Sequence, residues 1–467
     1  MKKKLLVVLA VLAICVSAFA QQPKYVFYFI GDGMGVNQVN AAEFYQAAVN
    51  GNLGTESLAF TQFPSATMAT HFSANSDVTD SAASGTALAT GNKTRNGRIG
   101  LDAEGTVSFT SIAEMAKRCG KKVGIASTVP VNHATPASFF GHQKSRDMGF
   151  KLAQDMLTDE FDFYAGSALM DEKKYPVDPE KGTIRDQFKA QGYLICNYEG
   201  FKEGWQTAQR ILMLPAENQS VTYAIDTNND TPEHQKDHLT LSQIVESAVT
   251  FLMKDNKKGF FLMAEGGKID GACHGHDAAT MIHEVIDFDN AIKIAIDFYN
   301  KHPKQTLIVI TADHETGGLV LAPKNAETLA RLQNQKHSQE TISDNLRNML
   351  NEKKLTWDDM KAFLGDNFGF WKGVELNWQE ERELRDIYEN TIAKRQAGSK
   401  KDLYADNALI VAKAVEILDK NAGIYWSCSH SAGYTPVYAL GVGAEKFSHK
   451  TDNAQIPMII KEIAGYK

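Results

Sequence analysis

The chain has 467 residues, 43% apolar and 22% charged, which is enough apolar material for a large core. Its net charge of −7, without basic blocks, argues against a nucleic-acid binder. Five cysteines with no C-x-x-C pair among them argue against a cysteine-based zinc or redox centre.

The opening stretch MKKKLLVVLAVLAICVSAFA sets three lysines before an apolar run from Leu5 to Val16 and closes on Ala18-Phe19-Ala20. This is the layout of a secretory signal peptide, residues 1–20, cleaved after Ala20, and its apolar run is too short to span a membrane. Cys15 is a poor lipidation site, because Ile14 stands where a small residue is wanted. Loss of Lys2, Lys3 and Lys4 takes the net charge to about −10. The mature chain, residues 21–467, is expected in the periplasm or outside the cell, and no later run is long and apolar enough to cross a bilayer. There Cys119, Cys196, Cys273 and Cys428 can pair in three ways, among which the sequence does not choose.

Past the leader, apolar strand-like runs alternate with helical patterns. In chain order they are YVFYFI (Tyr25 to Ile30), a helical stretch near Val36 to Val49, KKVGIAS (Lys121 to Ser127), GFFLMAE (Gly259 to Glu265), a long amphipathic stretch from Ala278 to His302, and TLIVITAD (Thr306 to Asp313). Continuous apolar strands separated by helices predict an α/β fold: a large, mostly parallel central sheet with helices on both faces. Residues from about Met170 to Asn229 read as irregular, and DTNND, Asp226 to Asp230, reads as a turn rather than a calcium loop. Residues 324–420 hold charged helical segments and no convincing strand, so a helical insertion outside the sheet is expected there. TPVYALGVG, Thr435 to Gly443, returns the chain to the core.

The chemistry gathers where apolar strands end, which in open α/β sheets is where ligands bind. Asp32 follows the first strand, inside GDGMG. Glu265, Asp270 and His274 follow the GFFLMA run in EGGKIDGACH, and Asp313 and His314 follow TLIVITA in DHETGG. Asp270 and His274, four apart, share one face of a helical turn. A lone acid at a strand end is usually a turn former, but three such ends bring like charges together at a cost that cations relieve. Nitrogen and oxygen donors without thiolate suit Zn2+ where histidine contributes and Mg2+ where only oxygens do, so two zinc ions and one magnesium ion are the natural partition. A separate signal is DVTDSAASGTALATG, Asp77 to Gly91. Asp80 is placed to cap a helix, which leaves Ser81 in the first turn, where free N–H groups favour an anion, with small residues after it.

These motifs, with HATPASFFGHQKSR (His133 to Arg146) and HSAGYTPVYALG from His430, resemble the alkaline phosphatase family in its own order over most of the mature chain. The resemblance implies hydrolysis of small phosphate monoesters, with Ser81 as the nucleophile that takes the phosphoryl group and Arg146 gripping two phosphate oxygens. It implies a first zinc on Asp270, His274 and His430, a second on Asp32, Asp313 and His314, and magnesium on Asp32, Thr135 and Glu265. His276, His283 and His449 compete with His430 for the last zinc position, which the HSAGYTPVYA context favours for His430. His133 occupies a place that is Asp in some members and is expected to alter magnesium binding, while His142 is a structural support. Gly271 stands where some members carry a Lys or His that reaches phosphate through water. Residues 324–420 take the place of the family's variable crown, and a homodimer is implied as family members often form one. A sulfatase is disfavoured because Ala82-Ala83-Ser84-Gly85 lacks the x-Pro-x-Arg signature, and a phosphodiesterase because Arg146 suits the extra charge of a monoester. A binding protein without catalysis is disfavoured because every residue the mechanism needs is present.

Overall fold

The strands and helices fall where the apolar periodicity put the strongest of them. The structure, a computed structural model, describes residues 22–216, 221–230, 238–396 and 403–467, so the leader assigned to residues 1–20 lies outside the described residues. The strands are β1 (Tyr25–Gly31), β2 (Ser65–Thr70), β3 (Lys122–Ser127), β4 (Phe163–Ala165), β5 (Tyr193–Cys196), β6 (Arg210–Met213), β7 (Phe260–Gly266), β8 (Thr306–Ala312), β9 (Glu315–Thr316), β10 (Val320–Leu321), β11 (Ile424–Tyr425), β12 (His430–Ser431), β13 (Thr435–Gly441) and β14 (Thr451–Asp452). Ten of them form one mixed sheet in the order β14-β2-β13-β8-β1-β7-β3-β4-β6-β5. The block from β8 to β5 is parallel, and β13 runs antiparallel to both β8 and β2.

Both faces of the central strands β1, β7 and β8 are buried. Along β1, Tyr25, Phe27 and Phe29 enter one core and Val26, Tyr28 and Ile30 enter the other. β7 and β8 divide in the same way, which is why their runs are continuously apolar rather than alternating. One face is covered by α1 (Val36–Val49) and the 24-residue α5 (Ala278–Lys301), the other by α2 (Ser81–Thr90) and α8 (Gln455–Ala464). The short helices α3 (Ala134–Ala137) and α4 (Lys268–His274) follow β3 and β7. Between β10 and β11, which pair antiparallel, the described residues form helices and turns but no strand. Among these helices α6 (Gln339–Glu352) packs on α7 (Leu403–Ala422), and their buried Ile342, Leu346, Ile410 and Val415 continue the core of the α1/α5 face.

The stretch read as irregular, from about Met170 to Asn229, contributes β5 and β6 and the helices Ile184–Ala190, Tyr198–Gly204 and Ala224–Asn229. Both strands are four residues long, β5 at the sheet edge and β6 beside it, and β5 is only partly buried, too little apolar sequence to stand out. DTNND is helical over its first four residues. The Asp226 carboxylate accepts from the Ser338 amide and from the Ser338 and Thr341 hydroxyls, and so ties this helix to the start of α6. Cys119, Cys196, Cys273 and Cys428 are four separate thiols, not a disulfide framework. No helix among the described residues is long and apolar enough to cross a membrane.

Candidate active site and metal centre

Register assembles the site. Gly31 of β1 lies opposite Gly266 of β7 and Ala312 of β8, so Asp32 and Asp313 leave adjacent strands side by side. Glu265 is opposite Ile30 on one side and Ser127 on the other. The carboxylates are then fixed by their neighbours: Gly33 N–H donates to Asp313 Oδ1 at 3.0 Å, as does His314 N–H at 2.9 Å, and the Ser127 hydroxyl donates to Glu265. α4, beginning two residues after β7, carries Asp270 and His274.

His430 arrives from far along the chain through a two-residue ladder in which β12 pairs with β9, His430 opposite Thr316 and Ser431 opposite Glu315. Its Nδ1 donates to the Thr79 carbonyl at 2.9 Å, so Nε2 keeps its lone pair. That Nε2 lies 3.0 Å from His274 Nε2 and 3.8 Å from Asp270 Oδ1, and His274 Nε2 lies 3.4 Å from Asp270 Oδ2. The competing histidines are occupied elsewhere or remote. His276 stacks on Trp426, His283 packs edge-on against Tyr45, and His449 is exposed.

His314 links the two groups. Its ring stacks on His430 with centroids 3.9 Å apart, and its Nε2 lies 3.2 Å from Asp313 Oδ2 and 3.5 Å from Asp32 Oδ1. One donor atom each from Asp32, Asp313 and His314 falls within 4.8 Å of the others, as do those of Asp270, His314 and His430. Thr316, which the sequence reading passed over, sets the chemistry of both groups with one hydroxyl. It donates to Asp270 Oδ1 at 2.6 Å and sits 3.1 Å from His314 Nδ1, whose proton it accepts, leaving His314 Nε2 as a lone pair.

Ser81 stands in the first turn of α2. Asp80 is the N-cap, accepting from the Ala83 amide at 3.0 Å, and Ser81 Oγ lies 3.1 Å from His314 Nε2. Every residue of α2 is buried, and the small residues serve close packing: a Cβ on Gly85 would come 2.8 Å from Ser138 Oγ and 3.1 Å from Thr135 Cα. The helix that presents Ser81 therefore lies directly on the turn that presents Thr135.

Arg146 is held from two sides. Nη1 donates to Asp80 Oδ2 at 3.3 Å and Nη2 to His133 Nε2 at 3.1 Å. Burial, with the guanidinium beside it, pushes His133 down to about 4, so its ring is neutral and can accept that bond. Asp80 as partner of Arg146 is a second role that the sequence reading, which gave it only the cap, did not include. His142 takes no such part and bonds the Phe109 carbonyl at 2.8 Å. At Gly271 a Cβ would lie 2.8 Å from the Tyr223 hydroxyl, whose ring carries Lys268 Nζ at 4.3 Å.

The residues fit cations. Asp32 Oδ1 and Oδ2, Asp313 Oδ2, Glu265 Oε1 and Thr135 Oγ1 are all buried without a hydrogen-bond partner, although buried acceptors are normally satisfied. Burial, then repulsion from Asp313, Asp270 and Glu265, pushes the Asp32 carboxyl well above the usual range, and burial lifts Glu265 to about 8. Burial holds His314 well below its ordinary value and so neutral. Orphaned oxygens, crowded carboxyls and histidines with free lone pairs are what divalent cations stabilise.

A ten-stranded α/β sheet whose strand ends carry carboxylates and histidines, with a helix-start serine and an arginine beside them, is the architecture of a hydrolase of the α/β class. The family model for alkaline phosphatase matches residues 23–466, so the chain belongs to the alkaline phosphatase family and is an enzyme acting on phosphate monoesters. Alkaline phosphatase 4 of Bacillus subtilis (strain 168) is 30% identical over 443 residues, 93% of this chain and 87% of that protein. The cold-active alkaline phosphatase of a psychrophilic Shewanella sp. superposes with a TM-score of 0.77 at 30% identity, covering 94% of this chain and 99% of that one. A His-to-Asp variant of the alkaline phosphatase from the Antarctic bacterium TAB5, with Mg bound in its M3 site, is 26% identical with a TM-score of 0.64, covering 96% and 99%.

Proposed function

We propose that the enzyme works through a covalent phosphoserine on Ser81, with zinc held by Asp270, His274 and His430 and by Asp32, Asp313 and His314, and magnesium by Asp32, Thr135 and Glu265. The observation that carries this reading is the set of buried, unpartnered acceptors on Asp32, Asp313, Glu265 and Thr135, grouped with histidine lone pairs beside one serine hydroxyl. Mg occupies the M3 site of the TAB5 variant in which Asp replaces a histidine; this chain has His133 two residues before Thr135, so the magnesium assignment rests here on the oxygens of Asp32, Thr135 and Glu265. Bound there, divalent cations neutralise the carboxylates, favour the alkoxide of an adjacent hydroxyl and stabilise a departing oxygen.

The residues do the rest. Arg146, its plane preset by Asp80 and His133, pairs two non-bridging phosphate oxygens and turns the phosphorus toward Ser81. Ser81 Oγ gives its proton to water and attacks phosphorus as the P–O bond to the ester breaks on the opposite side, and the departing ester oxygen takes a proton from water to leave as the alcohol. The free amides of the first turn of α2 favour the added negative charge. Water then attacks the same phosphorus, giving up a proton as the Oγ–P bond breaks, Ser81 Oγ takes up a proton to restore the hydroxyl, and orthophosphate leaves. The leader over residues 1–20 supports export to the periplasm or the medium, where such an enzyme meets external phosphate esters.

The test is hydrolysis of an aryl phosphate monoester and the matching diester by the protein loaded with zinc and magnesium, beside Ser81→Ala. Monoester turnover should dominate, and in the variant fall by a factor on the order of 10³ or more. A preference for the diester, or an indifferent variant, overturns the substrate class or the nucleophile.

A further inference from the structure

Glu315 has no part in the chemistry above, yet three distant parts of the chain meet on it. It directly follows His314, is 6% exposed, and its carboxylate is engaged outside the cation groups. Oε1 accepts from Gln38 Nε2 at 2.7 Å and from the Leu319 amide at 3.3 Å; Oε2 accepts from the Gly318 amide at 3.3 Å and from the Ser431 hydroxyl. The same Gln38 amide also donates to the Thr316 carbonyl at 2.7 Å. Room for the side chain comes from Gly35, where a Cβ would sit 2.3 Å from Glu315 Cγ, so the GDGMG turn that carries Asp32 ends in a residue shaped to admit it.

The arrangement matters because, beyond the Nδ1 bond to Thr79 and the stacking on His314, His430 depends on a very short strand. Its strand β12 has two residues, and a two-residue ladder has little stability of its own. Ser427 and Ser429, just before it, are exposed. The Ser431 hydroxyl is the first side-chain anchor after His430. It donates to a carboxylate, a class of hydrogen bond about twice as strong as a neutral one, and it also accepts from the Gly433 amide at 3.1 Å.

We infer that Glu315 is a positioning residue that clasps Ser431 to the start of α1 and thereby holds His430 in place for the cation it shares with Asp270 and His274. This rests on the metal assignment proposed above. The clasp acts on His430 through Ser431, while Asp32 and Asp313 directly follow the central strands β1 and β8 and the His314 ring is held separately by the Thr316 hydroxyl.

The experiment is zinc titration of the metal-free protein against a chromophoric chelator, for wild type, His430→Ala, Ser431→Ala, Glu315→Ala and Glu315→Gln, with hydrogen exchange over residues 427–434 in the same metal-free samples. Ser431→Ala and Glu315→Ala should weaken one class of zinc site by about 10- to 100-fold, leave the other within about 2-fold, and speed exchange across 427–434. Glu315→Gln keeps one acceptor oxygen but loses the charge and sets its NH2 against the Gly318 or the Leu319 amide, so it should recover only part of the loss. If His430→Ala abolishes one class while Ser431→Ala and Glu315→Ala leave both classes intact, or shift both equally, the clasp is wrong and the metal assignment stands. If His430→Ala leaves the titration unchanged, the metal assignment falls and the clasp with it.

Discussion

Arg146 reaches Asp80 with Nη1 and His133 with Nη2, so its guanidinium plane is fixed before any ligand arrives. A lysine keeps the charge but not the plane or the paired donors. Arg146→Lys should raise KM for an aryl phosphate and lower kcat/KM by about 10-fold or more, the cost of one charge-assisted hydrogen bond at roughly 1.5–3 kcal/mol. Steady-state kinetics decide it, and an unchanged KM would mean that a point charge suffices. Thr316 is the complementary case, in which a neutral hydroxyl orders charged groups. Thr316→Val keeps the shape and removes both the 2.6 Å bond to Asp270 and the acceptor that sets the His314 proton. Zinc affinity should drop about 10- to 100-fold, while Thr316→Ser retains it. Equal affinities for the Val and wild-type proteins, by chelator competition, would show the two ligands to be oriented by their own packing.

Elements differ in how openly the sequence announces them. β1, β7 and β8 are seven-residue strands buried along their whole length, and their acids are legible because an apolar run ending in a carboxylate is conspicuous. β2, β4, β5 and β6 are not. β4 has three residues, β5 and β6 have four each, and β2 is exposed at Ala66 and Met68, so no continuous apolar run marks it. Glu315 and Thr316 sit in the DHETGG motif behind the two residues that look like ligands. Their partners Gln38, Asp270 and Ser431 are fixed by strand order rather than by any local pattern. The cap of α2, by contrast, is wholly local, and Asp80 takes the place its spacing predicts. Its carboxylate accepts from the Ala83 and Gly97 amides, so Asp80→Ala should destabilise the protein by about 1–2 kcal/mol. The check is a fall in denaturant midpoint with unchanged m-value; an unshifted midpoint would mean that water caps the helix equally well.

For the whole molecule, stability should depend on both cations and protons. Stripping the cations leaves buried carboxyls facing one another, so chelation should lower Tm, and re-addition of zinc and magnesium at about 100 times their Kd should return roughly 2.7 kcal/mol per site. A Tm indifferent to chelator would refute a filled centre in the folded protein. The proton dependence is cleanest at Asp159, the last residue of the helix Gly149–Asp159 and remote from the centre. Burial raises its carboxyl to about 8, helped by the like charges of Glu114 and Asp155 and opposed by Arg118 and Lys117, and its Oδ2 has no hydrogen-bond partner. An anion there also opposes the helix dipole. The raised value fixes the sign. Between about pH 4 and pH 8 the folded protein holds a proton that the unfolded chain has released, so stability is full below about pH 4 and is lost as the pH climbs through about 8. Asp159→Asn removes the ionisation. The variant should match wild type near pH 4, gain on it steadily with rising pH, and level off above about pH 8 at an advantage on the order of 5 kcal/mol, about 1.4 kcal/mol for each pH unit of the interval. Denaturant titrations of the two proteins across that range, at matched metal saturation, give the difference directly. A difference that is flat with pH would place the Asp159 carboxylate in water, ionised in the folded state as it is in the unfolded one.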